Sequence, residues 1–140
     1  MKGSCLCGGE AYEVSQLDTP ISHCSCHTCR KAHAAAFNTA AGFKHTHFRW
    51  VNRQELLKSF ESSKGKYRYF CSNCGTHLIA QRAEQVLLTL SVAKIDDAPQ
   101  QIPDFHIFKY QEVTWLHYGM EIPAYPEWQP SRTRNSPLIF

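Results

Sequence analysis

No stretch of this chain approaches the roughly 20 consecutive apolar residues that cross a bilayer as a helix. Its opening, Met1-Lys2-Gly3-Ser4-Cys5-Leu6-Cys7, lacks the apolar run of a secretory signal, so the expected location is the cytosol. Internal repeats, low-complexity tracts and basic blocks are also missing. Charged residues make up only 19% of the chain and leave a net charge of +3, against 43% hydrophobic and 12% aromatic residues. That balance excludes a disordered or fibrous protein. A chain of 140 residues buries a real core and fits one ordinary domain. What remains conspicuous is cysteine. There are seven, an odd number, so a disulfide framework would leave one over. In a reducing compartment, clustered cysteines more often hold metal or do chemistry.

Between the cysteines run short segments that read as strands. Glu10 to Val14 alternates, with Tyr12 and Val14 on one face. Phe48 to Val51, Leu56 to Phe60 and Tyr67 to Phe70 are aromatic or β-branched, and Lys64-Gly65-Lys66 reads as a hairpin turn. His77 to Gln81, Val86 to Val92, Phe105 to Tyr110 and Val113 to Tyr118 complete the set. The alanine-dense stretch Thr28 to Ala36 predicts the one helical turn. Many short strands and little helix predict a mainly β fold, as a single domain over residues 1–128. The tail, 129–140, is expected to be irregular, since prolines at 123, 126, 130 and 137 interrupt it and the run before it.

The cysteines fall into three groups. Cys5-Leu6-Cys7-Gly8 and Cys71-Ser72-Asn73-Cys74-Gly75 are alike, with a glycine directly after the second cysteine. Glycine there lets the backbone turn back and aim N–H groups at a thiolate. Together Cys5, Cys7, Cys71 and Cys74 supply four thiolates, a closed tetrahedral zinc sphere whose role is folding energy. The third group, Cys24-Ser25-Cys26-His27-Thr28-Cys29, offers three thiolates and no following glycine. Three protein ligands leave one position for water or substrate, the pattern of a reactive zinc, so Cys24, Cys26 and Cys29 are the candidate catalytic residues. Three other readings stay open: closure of the trio by His23, His27 or His33, a metal-free redox trio, or an iron–sulfur cluster held by all seven cysteines. With two zinc ions and seven thiolates, the formal +3 falls to zero, so the apparent basicity gives little support for a nucleic-acid partner. His45, His47, His77, His106 and His117 are individually weak signals, and Arg30-Lys31 and the tryptophans read as solvated face and core.

In the motifs Gly3-Ser4-Cys5-Leu6-Cys7-Gly8, Cys24 to Lys31, Phe48-Arg49-Trp50, Tyr69 to Leu78, Phe105-His106-Ile107-Phe108 and Trp115, the chain resembles the family of glutathione-dependent formaldehyde-activating enzymes, which also includes a centromere-associated protein. The resemblance covers roughly residues 3 to 128. It implies a β-tent of short antiparallel sheets around zinc, with structural zinc at Cys5, Cys7, Cys71 and Cys74 and reactive zinc at Cys24, Cys26 and Cys29. It implies addition of the glutathione thiol to formaldehyde, giving S-(hydroxymethyl)glutathione, a reversible carbon–sulfur lyase reaction. Similar sequences usually carry a small polar residue and a glycine after the trio, where this chain has His33 and Ala34-Ala35-Ala36. The expected protein is thus a zinc lyase with a small thiol substrate, possessing His27 or His106 as proton carrier and having neither membrane nor nucleic acid as partner. The alternatives are a non-enzymatic zinc module that binds protein or nucleic acid, and a labile zinc or redox sensor.

Overall fold

The computed structural model describes residues 1–52, 54–97, 99–116 and 126. Ten short strands carry a mainly β architecture: β1 (Lys2–Ser4), β2 (Ala11–Val14), β3 (Ser22–Cys24), β4 (Asn38–Lys44), β5 (Phe48–Trp50), β6 (Leu57–Ser63), β7 (Lys66–Cys71), β8 (His77–Arg82), β9 (Leu87–Ser91) and β10 (Phe105–Ile107). One α-helix, α1 (His27–His33), and three single 3₁₀ turns complete the described elements. The strands form a three-stranded sheet, β1-β2-β5, and a seven-stranded sheet, β10-β3-β4-β9-β8-β7-β6. Every pair is antiparallel except β10 with β3, which run parallel. The hairpin turn at Lys64 and Gly65 joins β6 to β7, with Gly65 at a φ of 72° that favours glycine.

The core lies between the two sheets. Tyr12 and Val14 of β2 meet Phe43, Leu78, Leu88 and Leu90 of the larger sheet, and all of them are buried. Tyr12 stacks on Phe48 and donates its hydroxyl to Lys94 O at 2.9 Å. Its ring lies directly over Gly3, where a Cβ would stand 2.3 Å from the ring atoms, so β1 can pair with β2 only through glycine at this register.

Seven of the expected strands match observed ones in position, with ends shifted by a few residues. Three strands, β1, β3 and β4, lie where the sequence predicted none. The expected strand Phe105 to Tyr110 stops at Ile107 and gives way to a 3₁₀ turn over Lys109–Gln111. The expected strand from Val113 forms no strand through Leu116, and its remainder, His117 and Tyr118, lies outside the described residues. Trp128 and the boundary placed between 128 and 129 also lie outside them. Trp50 packs against the core as expected, whereas Trp115 is 68% exposed.

Candidate metal centres

The first centre joins the two sheets. Cys5 and Cys7 follow β1, and Cys71 and Cys74 flank the turn from β7 to β8. The two turns differ by one residue in length, but each closes from the glycine onto the first cysteine. Gly8 N donates to Cys5 O at 2.9 Å, and Gly75 N donates to Cys71 O at 2.8 Å. Gly8 and Gly75 each sit at a φ of 73°, which is why glycine follows the second cysteine in both. The Glu10 amide then points at Cys5 Sγ at 3.2 Å. Thr76 links the turns: its Oγ1 accepts from the Leu6 amide at 3.1 Å and lies 3.2 Å from Cys74 Sγ. The Thr76 hydroxyl, then its amide, hold the Cys74 thiol down at about 5, so this sulfur is poised as thiolate.

All four sulfurs lie within 4.8 Å of one another. Cys5 and Cys7 are 3.5 Å apart, and Cys7 and Cys71 are 3.8 Å apart. A tetrahedron of sulfurs at the Zn–S distance has edges of about 3.8 Å. The donor set and spacing therefore fit a tetrahedral thiolate-bound ion.

The second centre is built where β3 ends and α1 begins. Cys24 closes β3, Cys26 is the N-cap of α1 with its Sγ accepting from the Cys29 amide at 3.4 Å, and Cys29 is buried in the first turn. Their three sulfurs also lie within 4.8 Å of one another, and no other His, Cys, Asp or Glu ligand atom joins them among the described residues. The histidines that would close the set are engaged elsewhere or turned out. His23 Nδ1 shares a hydrogen bond with Thr39 Oγ1 at 2.8 Å, His33 Nε2 faces Arg68 at 3.4 Å, and His27 is exposed. Burial pushes the Cys24 thiol up to about 12, with the neighbouring Cys29 adding to it. Burial opposes ionisation of Cys26 as well, yet the Cys29 amide and the neighbouring sulfurs hold it below the ordinary thiol value.

Several residues around this centre were not singled out in the sequence. Ser25 is fully buried; its amide donates to Ile107 O at 3.2 Å, and its Oγ lies 2.7 Å from His106 Nε2. The parallel pairing of β10 with β3 makes this contact, and its distance along the chain hid it from sequence inspection. Arg68 of β7 reaches Cys29 Sγ with its Nη2 at 3.9 Å. Its only sequence signal was alternation, with Lys66 and Arg68 on one face of the strand and Tyr67 and Tyr69 on the other. Beside the four-cysteine centre, and reaching the C-terminal end of α1, lies a cavity of about 680 Å³, lined by His33, His77, Thr76, Cys74, Lys94 and Asp96 among others. Another, of about 620 Å³, runs along α1 past Arg30, Lys31, Ala34 and Trp115. A smaller groove of about 380 Å³, over β2 and β5, reaches neither centre.

None of the seven cysteines is in a disulfide. A mainly β frame with two separate sulfur clusters, each of metal-holding geometry, defines a β protein organised around cysteine centres. The glutathione-dependent formaldehyde-activating enzyme family matches residues 1–111, and the chain belongs to that family. An uncharacterized lyase of Schizosaccharomyces pombe is 32% identical over 77 residues, which are 55% of this chain and 54% of that protein. The chain thus spans about half the length of this curated relative. The crystal structure of a Rhodobacter sphaeroides protein superposes with a TM-score of 0.61 at 24% identity, covering 75% of this chain and 99% of the other. It shares the fold.

Proposed function

We propose that this protein is a zinc-dependent carbon–sulfur lyase acting on a thiol–aldehyde adduct, with glutathione and formaldehyde giving S-(hydroxymethyl)glutathione as the leading reaction. The observation that carries this reading is the cluster of three sulfurs at Cys24, Cys26 and Cys29, with no fourth protein ligand among the described residues. Family membership supports the substrate pair. The two-sheet frame around sulfur centres supports the β-tent assignment, and seven unpaired cysteines support a reducing compartment such as the cytosol.

In this reading Cys5, Cys7, Cys71 and Cys74 hold a closed, structural zinc, while Cys24, Cys26 and Cys29 hold a second with one position left for substrate. When bound there, the ion supplies Lewis acidity toward a thiol or carbonyl. In the forward direction, the thiol sulfur's electron pair forms the C–S bond, the carbonyl π pair moves to oxygen, and the thiol proton ends on that oxygen. The chain's residues provide the setting. Cys26 and Cys29 are fixed by the first turn of α1, and Cys24 by the end of β3, so the three sulfurs face one point. His106, whose Nε2 lies 2.7 Å from the Oγ of Ser25 within the trio's segment, is the proton carrier in this reading. His27 is the weaker candidate, because it is exposed and its amide is committed to Gln111 Oε1 at 2.9 Å. Arg30 and Lys31, along the cavity beside α1, suit the carboxylates of a peptide thiol.

Replacing Cys26 with Ala tests the reading. Formation and release of S-(hydroxymethyl)glutathione should fall at least tenfold, on the scale of losing a metal-site partner, while the four-cysteine centre keeps its zinc. Unchanged turnover would sink the mechanism.

A further inference from the structure

Arg68 presents a problem that the reaction does not explain. Its side chain is only 6% exposed, and a guanidinium stays charged in any environment a protein offers. A buried charge needs a partner of opposite sign. Among the described residues, no carboxylate forms an ion pair with it. Its Nε donates to Ser62 Oγ at 2.9 Å, and its Nη1 faces His33 Nε2 at 3.4 Å. Both partners are neutral, because burial, then Arg68 itself, holds His33 down at about 4. The remaining contact is Nη2 with Cys29 Sγ at 3.9 Å, itself buried. Three thiolates and one divalent ion together leave a single negative charge, which one guanidinium balances.

We infer that Arg68 is a positioning residue for the three-cysteine centre, the buried counter-ion that balances the net negative charge of the loaded centre, fixes Cys29 Sγ in place and so retains the ion bound there. The inference rests on the two-ion reading above. Among the described residues no cation hydrogen-bonds a sulfur of the four-cysteine centre, where a backbone amide and the Thr76 hydroxyl serve instead. Lys66 lies on the same face of β7 and is half-buried, but makes no hydrogen bond to sulfur among the described residues.

Metal content and chelator-driven zinc release would be measured for the native protein and for Arg68→Gln, Arg68→Lys and Lys66→Gln, together with the thiolate-to-cobalt absorption of cobalt-loaded samples. The native protein should hold two zinc ions that leave in two phases. In Arg68→Gln the faster phase should quicken by roughly 10–100-fold and the cobalt–thiolate band of that centre should shift, with the slower phase unchanged. Arg68→Lys should restore most of the native behaviour, and Lys66→Gln, whose charge lies near Cys29 and Cys26 without a hydrogen bond to either, should quicken release far less than Arg68→Gln. If Arg68→Gln does not fold, Arg68→Lys decides: native-like release supports the counter-ion role, and release at least tenfold faster overturns it. Two zinc ions in the native protein with unchanged release in Arg68→Gln overturn the inference alone, as does an equal effect from Lys66→Gln. A single zinc in the native protein overturns both the two-ion reading and this inference.

Discussion

His33 and His77 meet edge-to-face at 4.4 Å, both lining the cavity beside the four-cysteine centre. Among the described residues neither ring nitrogen of His77 has a hydrogen-bond partner, and both are shielded from solvent. Burial, then the adjacent His33, holds His77 down at about 3, while burial and Arg68 hold His33 at about 4. An unfolded chain would protonate both near pH 6.5. Above that pH the two states bind the same number of protons at these rings. As pH falls below it, the unfolded chain takes up protons that the folded one refuses, so stability drops until about pH 3, where His77 too is protonated in the folded state. The urea midpoint should therefore fall between pH 7 and pH 5, and the fall should be smaller in His77→Phe, which removes one titrating ring. Equal slopes for the two proteins would show that other groups set the pH dependence. The cysteine groups were legible at this scale because each ligand set is local in sequence and glycine marks the turn. Ser25, Arg68 and the histidine pair were not, because their partners lie on strands far along the chain.

Among the elements, α1 ends in a residue at odds with its position. Ala34 adopts φ 47° and ψ 45°, with its amide donating to Arg30 O, the left-handed cap that glycine occupies without strain. A side chain in that region costs about 1–2 kcal/mol. Ala34→Gly should therefore stabilise the protein by about 1 kcal/mol, seen as a higher urea midpoint with an unchanged slope. The backbone here holds the conformation that a glycine would prefer. Strands show the same tension between local preference and context. β4, Asn-Thr-Ala-Ala-Gly-Phe-Lys, has little intrinsic strand preference, and pairing with both β3 and β9 makes it a strand nonetheless. β1 and β3 are three residues each, too short for alternation to register. The strands rich in Val, Leu and aromatic residues were readable because each carries its own pattern.

For the whole molecule, the four-cysteine centre is a staple between sheets that otherwise meet through the aromatic and aliphatic core. Cys5 and Cys7 belong to the small sheet's side and Cys71 and Cys74 to the large one's. A structural zinc contributes roughly 10 kcal/mol or more, comparable to the net stability of a domain. Cys71→Ser should bind one zinc fewer by metal analysis and should lose its cooperative thermal transition or show it far below the native temperature. Cys26→Ala should shift that transition much less. The parallel pairing of β10 with β3 has a different kind of consequence. Ser25 and His106 are 81 positions apart. At ribosomal speed, the trio emerges on the order of ten seconds before the strand that will cover it. During that interval the three sulfurs meet the cell's oxidants and free metal bare, so the quality of newly made protein is set by the surrounding thiol pool before folding ends.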